Sequence, residues 1–331
     1  MTFKQLKLMS FIFSILFIAN IGLAEVEDTI KESFDVGQGG TLQVKSDLGS
    51  ITVSTQNSNK VDVQVIRKVK AFSKKEAERI LEDLTIDFSQ DGDNVIVIAK
   101  FDQRGKSFWK RITRRVSLKF IISLPEKYNV DLSTAGGSIS VDDLEGSVKS
   151  RTSGGSLKFG NITGPVDGKT SGGSITLDGC VGDADIRTSG GSITIGQVDG
   201  NVIAKTSGGS VNIKKAKGTV DAATSGGSIN VNEVMGTINA RTSGGSVNAA
   251  ISQQPEGECR LSTSGGSVRV SLAEDIRATI DARTSGGRVK TEFPVTIQGE
   301  LKKNQLNAQI NGGGPLLYLR TSGGNIYLRK L

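Results

Sequence analysis

TSGGSITIGQVDGNVIAK, running from Thr188 to Lys205, is one copy of a repeat that dominates this chain. Its opening phrase, Thr-Ser-Gly-Gly, begins at Thr152 and returns at Thr170, Thr188, Thr206, Thr224 and Thr242, each 18 residues after the last. A short fixed period means a solenoid, in which each copy stacks on its neighbour. Upstream, Thr134-Ala135-Gly136-Gly137 keeps the phase; downstream the phrase recurs at Thr263, Thr284 and Thr321 after steps of 21, 21 and 37.

Within the quoted copy, Ile193, Ile195, Val198, Val202 and Ala204 are the inward candidates, forming two alternating pairs and hence two strands. Neighbouring copies repeat the pattern with Ile175, Leu177, Cys180, Ala184 and Ile186, and with Ile229, Val231, Val234, Ile238 and Ala240. Period-2 alternation in short β-branched runs between Gly-rich corners specifies strands rather than helices. Stacked copies then pair parallel strands in register, in chain order, at about 4.8 Å per coil. The Gly pair is expected at a turn, both for positive φ and for close approach of adjacent coils. The Thr and Ser hydroxyls beside it are expected to hydrogen-bond along the column. Because the glycines recur in every copy, a phosphate-cradling loop, which is a single copy between strand and helix, does not fit.

At the amino end, Lys4 and Lys7 precede an apolar run from Leu8 to Leu23 that ends in Gly22-Leu23-Ala24. This pattern reads as a secretory signal over residues 1–24, with small residues favouring cleavage after Ala24 over retention as an anchor. The remaining 307 residues carry 39 basic and 34 acidic side chains, a mild excess that does not by itself indicate nucleic-acid binding. The expected protein is periplasmic or extracellular and cell-surface associated, with envelope polymers, glycans or anionic membrane surfaces as its natural partners. Self-association is also open. Cys180 and Cys259 lie about four coils apart, roughly 19 Å along the stack, which is beyond disulfide reach.

From residue 25 to 130 the phrase is absent, and a separate capping domain is expected there, with the repeat domain over 131–331. Thr41–Val44, Ser50–Val53, Val61–Val65, Asn94–Phe101 and Val116–Leu124 alternate as strands. Ser73-Lys74-Lys75-Glu76 is a capping box, followed by Ala77, Ile80, Leu81 and Leu84 on one helical face. A helix laid on a small sheet would cover the open first coil, whose apolar surface and backbone groups would otherwise be exposed.

Two surfaces are candidates for binding. Arg104, Lys106, Lys110, Arg111, Arg114 and Arg115 surround Phe108 and Trp109, a composition suited to an anionic surface, where charge attracts and rings bury. The alternative is that Trp109 folds back on the sheet while the charges keep an edge soluble. The second surface is the outward array Ser174 and Thr176, Ser192 and Thr194, Ser210 and Asn212, Ser228 and Asn230, flat and uncharged, able to meet a glycan, another rod or an ice lattice. Plain solvated sheet is the simpler reading of that array.

Catalysis is not expected. The chain has no histidine, which removes Ser-His-Asp and Cys-His chemistry and histidine metal sites. A polysaccharide lyase on a parallel β-helix would need clustered acids, and Asp167, Asp185 and Asp221 do share a column. Arg151, Lys169, Arg187 and Lys205 lie two residues on and are expected to neutralise it. No cofactor or metal is implied, because the repeat also lacks the aspartate of calcium-binding solenoids.

The passage Ile121-Ile-Ser-Leu-Pro-Glu-Lys-Tyr-Asn-Val-Asp-Leu-Ser-Thr-Ala-Gly-Gly-Ser-Ile139, followed by Val141, Leu144, Gly146 and Val148, resembles the bacterial putative-adhesin family of β-strand-repeat envelope proteins. The ending from Ile310 to Ile326 is similar to that family's usual close. The resemblance implies an exported β-solenoid and brings no catalytic residues with it. The fold class expected is all-β: a parallel β-solenoid of about ten coils preceded by a small α+β cap.

Overall fold

The computed structural model describes residues 24–101, 115–297 and 302–331. The signal-like run, apart from Ala24, lies outside the described residues. The chain divides into two compact units, Met1–Asp142 and Asp143–Leu331.

The first unit contains two sheets and one helix. In one sheet Ala24–Asp35 runs antiparallel to Lys60–Ala71, which runs antiparallel to Val116–Pro125. Val116–Pro125 then pairs in parallel with Ser50–Gln56, and that strand with Ile139–Val141. In the other, Leu84–Asp91 is antiparallel to Asn94–Phe101, and Thr41–Ser46 pairs in parallel with both Asn94–Phe101 and Asn129–Thr134. Parallel stacking is therefore present here without the Thr-Ser-Gly-Gly phrase. All five expected strands form, some longer than the alternating residues alone suggested. Ala24–Asp35, Leu84–Asp91 and Asn129–Thr134 were not read from the sequence.

The helix spans Lys74–Glu82, and Ser73 caps it by accepting from the Glu76 N–H at 3.2 Å. The return arm of the box differs from expectation: the Glu76 carboxylate accepts from the Phe72 N–H, one residue before the cap. Ala77 and Ile80 are buried, but Leu84 lies beyond the helix, as the first residue of Leu84–Asp91. Its burial serves the strand, whose alternation takes over where the helical spacing ends.

In the second unit, successive strands alternate between two parallel sheets. On one, Ile175, Ile193, Val211, Ile229 and Val247 pair in turn, each 18 residues from the last. On the other, Val166, Ala184, Val202, Val220 and Ile238 do the same. Every inward residue named from the three copies is buried. Like-on-like stacking of β-branched side chains suits a parallel sheet, whose strands are evenly spaced.

The corners hold two surprises. None of the glycines of the repeated phrase lies in the left-handed region; among the described residues of this unit the positive-φ glycines are Gly146, Gly164, Gly182, Gly312 and Gly313. The repeated pair is required by proximity: a Cβ on Gly173 would sit 2.1 Å from the Gly155 carbonyl oxygen, and on Gly209 2.3 Å from that of Gly191. Second, the phrase's threonine points inward. Thr170, Thr188, Thr206, Thr224 and Thr242 are buried, and each hydroxyl donates to a glycine carbonyl of the preceding coil at 2.7 Å. The serine hydroxyls behave as expected along the column, accepting from the next serine's N–H, as Ser192 does from Ser210 at 3.2 Å.

The order of the last coils departs from the chain. Cys259–Thr263 pairs with Leu316–Thr321, and Leu316–Thr321 pairs on its other side with Ala278–Thr284. On the facing sheet Val268–Leu272 is likewise followed by Ile326–Lys330 and only then by Val289–Thr291. The three phrases therefore stack in the order Thr263, Thr321, Thr284, where chain order was expected. The end of one sheet is antiparallel: Gln305–Ile310 covers Ala278–Thr284, and the short Thr296–Ile297 pairs antiparallel on its far side.

Candidate binding faces

Alternation along each strand sends every second side chain outward, so the outward residues form columns across the sheets of the second unit. On the sheet carrying Ile193, successive outward partners are Lys158, Thr176, Thr194, Asn212, Asn230, Asn248 and Arg269. The Asn230 amide donates to the Asn212 carbonyl oxygen at 2.8 Å, and Asn248 to Asn230 at 2.7 Å. The Arg269 guanidinium ends this ladder with a 3.3 Å bond to Asn248. Ser174 and Thr194 are exposed, while Thr176, Ser192, Ser210, Asn212, Ser228 and Asn230 are half-buried. The Asn part of the array is thus fixed by its own hydrogen bonds.

On the opposite sheet the acidic and basic columns interlock. Asp167 lies 2.9 Å from both Arg151 and Lys169; Asp185 pairs with Arg187 at 2.6 Å and reaches Lys169 at 4.0 Å. Asp221 pairs with Lys205 at 2.6 Å and reaches Arg241 at 3.9 Å. The Arg187 guanidinium is held above its ordinary pKa, chiefly by its hydrogen bond to Asp185. Among the described residues no three Cys, Asp or Glu side chains are grouped so as to hold a metal ion.

Cys180 and Cys259 are buried and unbridged. Burial pushes the Cys180 thiol up to about 11, with Asp183 and Asp199 adding to the effect, and its Sγ donates to the Gly164 carbonyl at 3.2 Å. Such a thiol is inert packing rather than a nucleophile.

Of the basic stretch, Arg104, Lys106, Phe108, Trp109, Lys110, Arg111 and Arg114 lie outside the described residues. Arg115 is described, and it is engaged: Nη1 donates to the Glu76 carboxylate at 2.7 Å, and the guanidinium stacks over Phe72 at 5.0 Å. Phe72 itself is 72% exposed.

A further cluster was missed. Tyr318 lies between Arg260 and Arg320, and Tyr327 between Arg269 and Arg329, each within cation–π range. The signal was present in the sequence as two copies of Tyr-Leu-Arg, at 318–320 and 327–329.

The chain is thus built of stacked β-strand repeats whose outward residues form columns across the sheets. It belongs to the Toastrack DUF4097 family, whose signature matches residues 40–329. No curated protein matches the chain in sequence. Solved structures resemble it at low identity. One is a putative cell adhesion protein from Clostridium sporogenes, 13% identical over 92% of this chain and 100% of that one, with a TM-score of 0.23. Others are a putative adhesin from Bacteroides fragilis (13% identical, 92% and 97% covered, TM-score 0.28) and a putative lipid binding protein from Parabacteroides distasonis (10% identical, 92% and 96% covered, TM-score 0.36). At these TM-scores their descriptions stay with those proteins.

Proposed function

We propose that this protein is an exported, non-catalytic component of the cell envelope that works by adhesion or scaffolding. In this reading it is a β-solenoid of about ten coils with an 18-residue period, capped by the segment 25–130 and led by a signal over 1–24. Two surfaces do the binding: the basic, aromatic stretch Arg104–Arg115, toward anionic surfaces, and the Ser, Thr and Asn columns, toward glycans or other copies. The observation that carries the non-catalytic part is the interlocked charge column. Each of Asp167, Asp185 and Asp221 lies within 4.0 Å of a Lys or Arg, so the acids a lyase would use are already neutralised. The self-bonded Asn ladder supports the binding part, because a pre-ordered array loses little freedom when it docks.

The test is co-sedimentation with anionic and neutral vesicles and with acidic polysaccharide, at low and high salt. Exposed charges are screened within about 10 Å at 0.1 M salt, so binding driven by the basic stretch should weaken as salt rises. Arg111→Ser with Arg114→Ser should remove most of it, and Trp109→Ala should speed dissociation, since ring burial holds the docked state after charge has steered it. Arg115 is less informative, because its loss also breaks the bridge to Glu76. Binding unchanged by salt and by the paired substitution would remove the basic stretch from the mechanism. Turnover of a uronic-acid polymer would overturn the non-catalytic reading and favour a carbohydrate-active enzyme.

A further inference from the structure

The two Arg–Tyr–Arg sandwiches look alike but differ in charge. Around Tyr318 the arginines are neutralised: Arg320 and Arg283 both bind the Asp281 carboxylate, and Arg260 binds Glu258 at 2.9 Å. Around Tyr327 they are not. Arg269, Tyr327 and Lys290 stand in one row across three neighbouring strands, and Arg329 lies two residues beyond Tyr327 on the middle one. Arg269 and Arg329 hold the tyrosine ring at 5.6 and 5.5 Å. Among the described residues neither of them, nor Lys290, has a carboxylate within salt-bridge distance; Arg269 bonds instead to the neutral Asn248 amide. The nearby acids are turned to Lys330: Glu274 to its ammonium at 3.2 Å and Glu292 to its N–H at 3.1 Å. Arg288, whose N–H donates to the Asn325 side-chain oxygen at 2.8 Å, adds a fourth cation just before the outer strand.

This concentration of uncompensated charge adjoins the neutral column. Thr194, Asn212, Asn230, Asn248, Arg269, Tyr327 and Lys290 follow one another from strand to strand, so amides lead directly into the cations. Arg269 and Lys290 are two strands apart, about 10 Å at the usual strand spacing. We infer that the row Arg269–Tyr327–Lys290, with Arg329, is a binding site for an acidic polysaccharide laid across the strands, its carboxylates on the cations and its hydroxyls on the neighbouring amides. Charge complementarity favours an anion. The neutral Asn column that leads into the cations favours a glycan over a lipid surface, because its amides match sugar hydroxyls, and the one exposed large hydrophobic residue beside the site among those described is Leu331, two residues beyond Arg329. The inference deepens the binding role proposed above and rests on it for the class of partner.

The experiment is affinity electrophoresis of the full chain in gels containing polygalacturonate, with neutral dextran as the blank. Vesicles of phosphatidylcholine with and without phosphatidylglycerol are assayed in parallel, all at low and high salt. The combined substitution Arg269→Ser, Lys290→Ser and Arg329→Ser should weaken polygalacturonate binding about tenfold or more, a tenfold loss being about 1.4 kcal/mol. Arg260→Ser with Arg283→Ser, on the neutralised face, should change it less than about twofold on the same scale. All of these side chains point outward, and a far-UV melting curve confirms folding. If the triple variant fails to fold, Lys290→Ser and Lys290→Glu on the exposed outer strand should weaken binding in that order. Several results would overturn the site: no binding of polygalacturonate by the native chain, equal losses from both faces, or stronger binding to the anionic vesicles that the triple variant abolishes. Loss caused only by Arg111→Ser with Arg114→Ser would overturn this site and leave the earlier reading intact. Loss of function in none of the variants would overturn both.

Discussion

Replacing the second glycine of the phrase by alanine tests the account of the corners most directly. A Cβ on Gly173 would meet the Gly155 carbonyl oxygen at 2.1 Å, its carbon at 2.4 Å and the Ser156 Cα at 2.6 Å. Ordinary contact begins at 3.4 Å, so the two coils would have to part by about 1.3 Å along that direction. All three atoms are backbone, so no side chain can swing aside. The struck oxygen is also the acceptor of the Thr170 hydroxyl, so the displacement strains that 2.7 Å bond as well. Overpacking costs about 1 to 3 kcal/mol and occasionally more, and this case belongs at the upper end. Gly172→Ala is the control, since its Cβ would come closest to the Gly154 oxygen, at 3.3 Å, with its other neighbours at ordinary contact of 3.6 Å and beyond. There the mild contact opposes a gain of about 0.4 to 1 kcal/mol from a less flexible unfolded chain, leaving a net effect near zero. At about 2 to 4 °C per kcal/mol for chains approaching this size, Gly173→Ala should lower the melting temperature by roughly 6 to 12 °C for a 3 kcal/mol cost. Circular dichroism melts of the two variants decide it. Equal losses would mean that turn conformation, not the approach of stacked coils, selects the glycine.

Ile193→Asp buries a charge between Ile175 and Val211 and should cost several kcal/mol, on the order of the penalty for an unpaired buried charge, whereas the exposed Thr194→Asp should cost far less; denaturant midpoints compare them. Thr206→Val keeps the shape but leaves the Gly191 carbonyl without its donor, and should cost about 1 to 3 kcal/mol in the same assay. In alkali, burial raises the Cys180 thiol from 9.0 to about 11 and the Tyr128 hydroxyl from 10.0 to about 12. The folded state then holds protons that the unfolded state has released, so stability should be intact below pH 9 and fall from there toward pH 12. Melting temperatures across that range check the sign, and a rise would refute it.

Much of the second unit was legible because its strands are short, β-branched and repeated, so each copy restates which residues face inward. The buried threonine was harder to see. A hydroxyl beside glycines in a polar corner reads as exposed, and only the facing carbonyl of the preceding coil makes its burial favourable. The glycine pair was read correctly as a corner but for a partly wrong reason, since sequence does not separate a need for positive φ from a need for room. Leu84 fits a helical face and a strand equally well, and the strand's pairing with Asn94–Phe101 decides between them. Of the Tyr327 site only the Tyr-Leu-Arg phrase was legible: its row comes from strands around residues 269, 327 and 290, brought together by an order of stacking that linear spacing does not encode.

That order has a consequence for how the molecule is completed. A solenoid stacked in chain order can grow as it emerges, each new coil settling on a finished one. Here the coil at 278–291 is made before the one that must lie beneath it, and its parallel neighbours arrive only with residues 316–330. Until then Val268–Leu272 and Val289–Thr291 both lack the strand Ile326–Lys330 that joins them. Residues 316–330 act as a keystone. A product that lacks them keeps open sheet edges on either side of the gap, which invite pairing with other chains, so this stretch decides whether a finished molecule or an aggregation-prone one results.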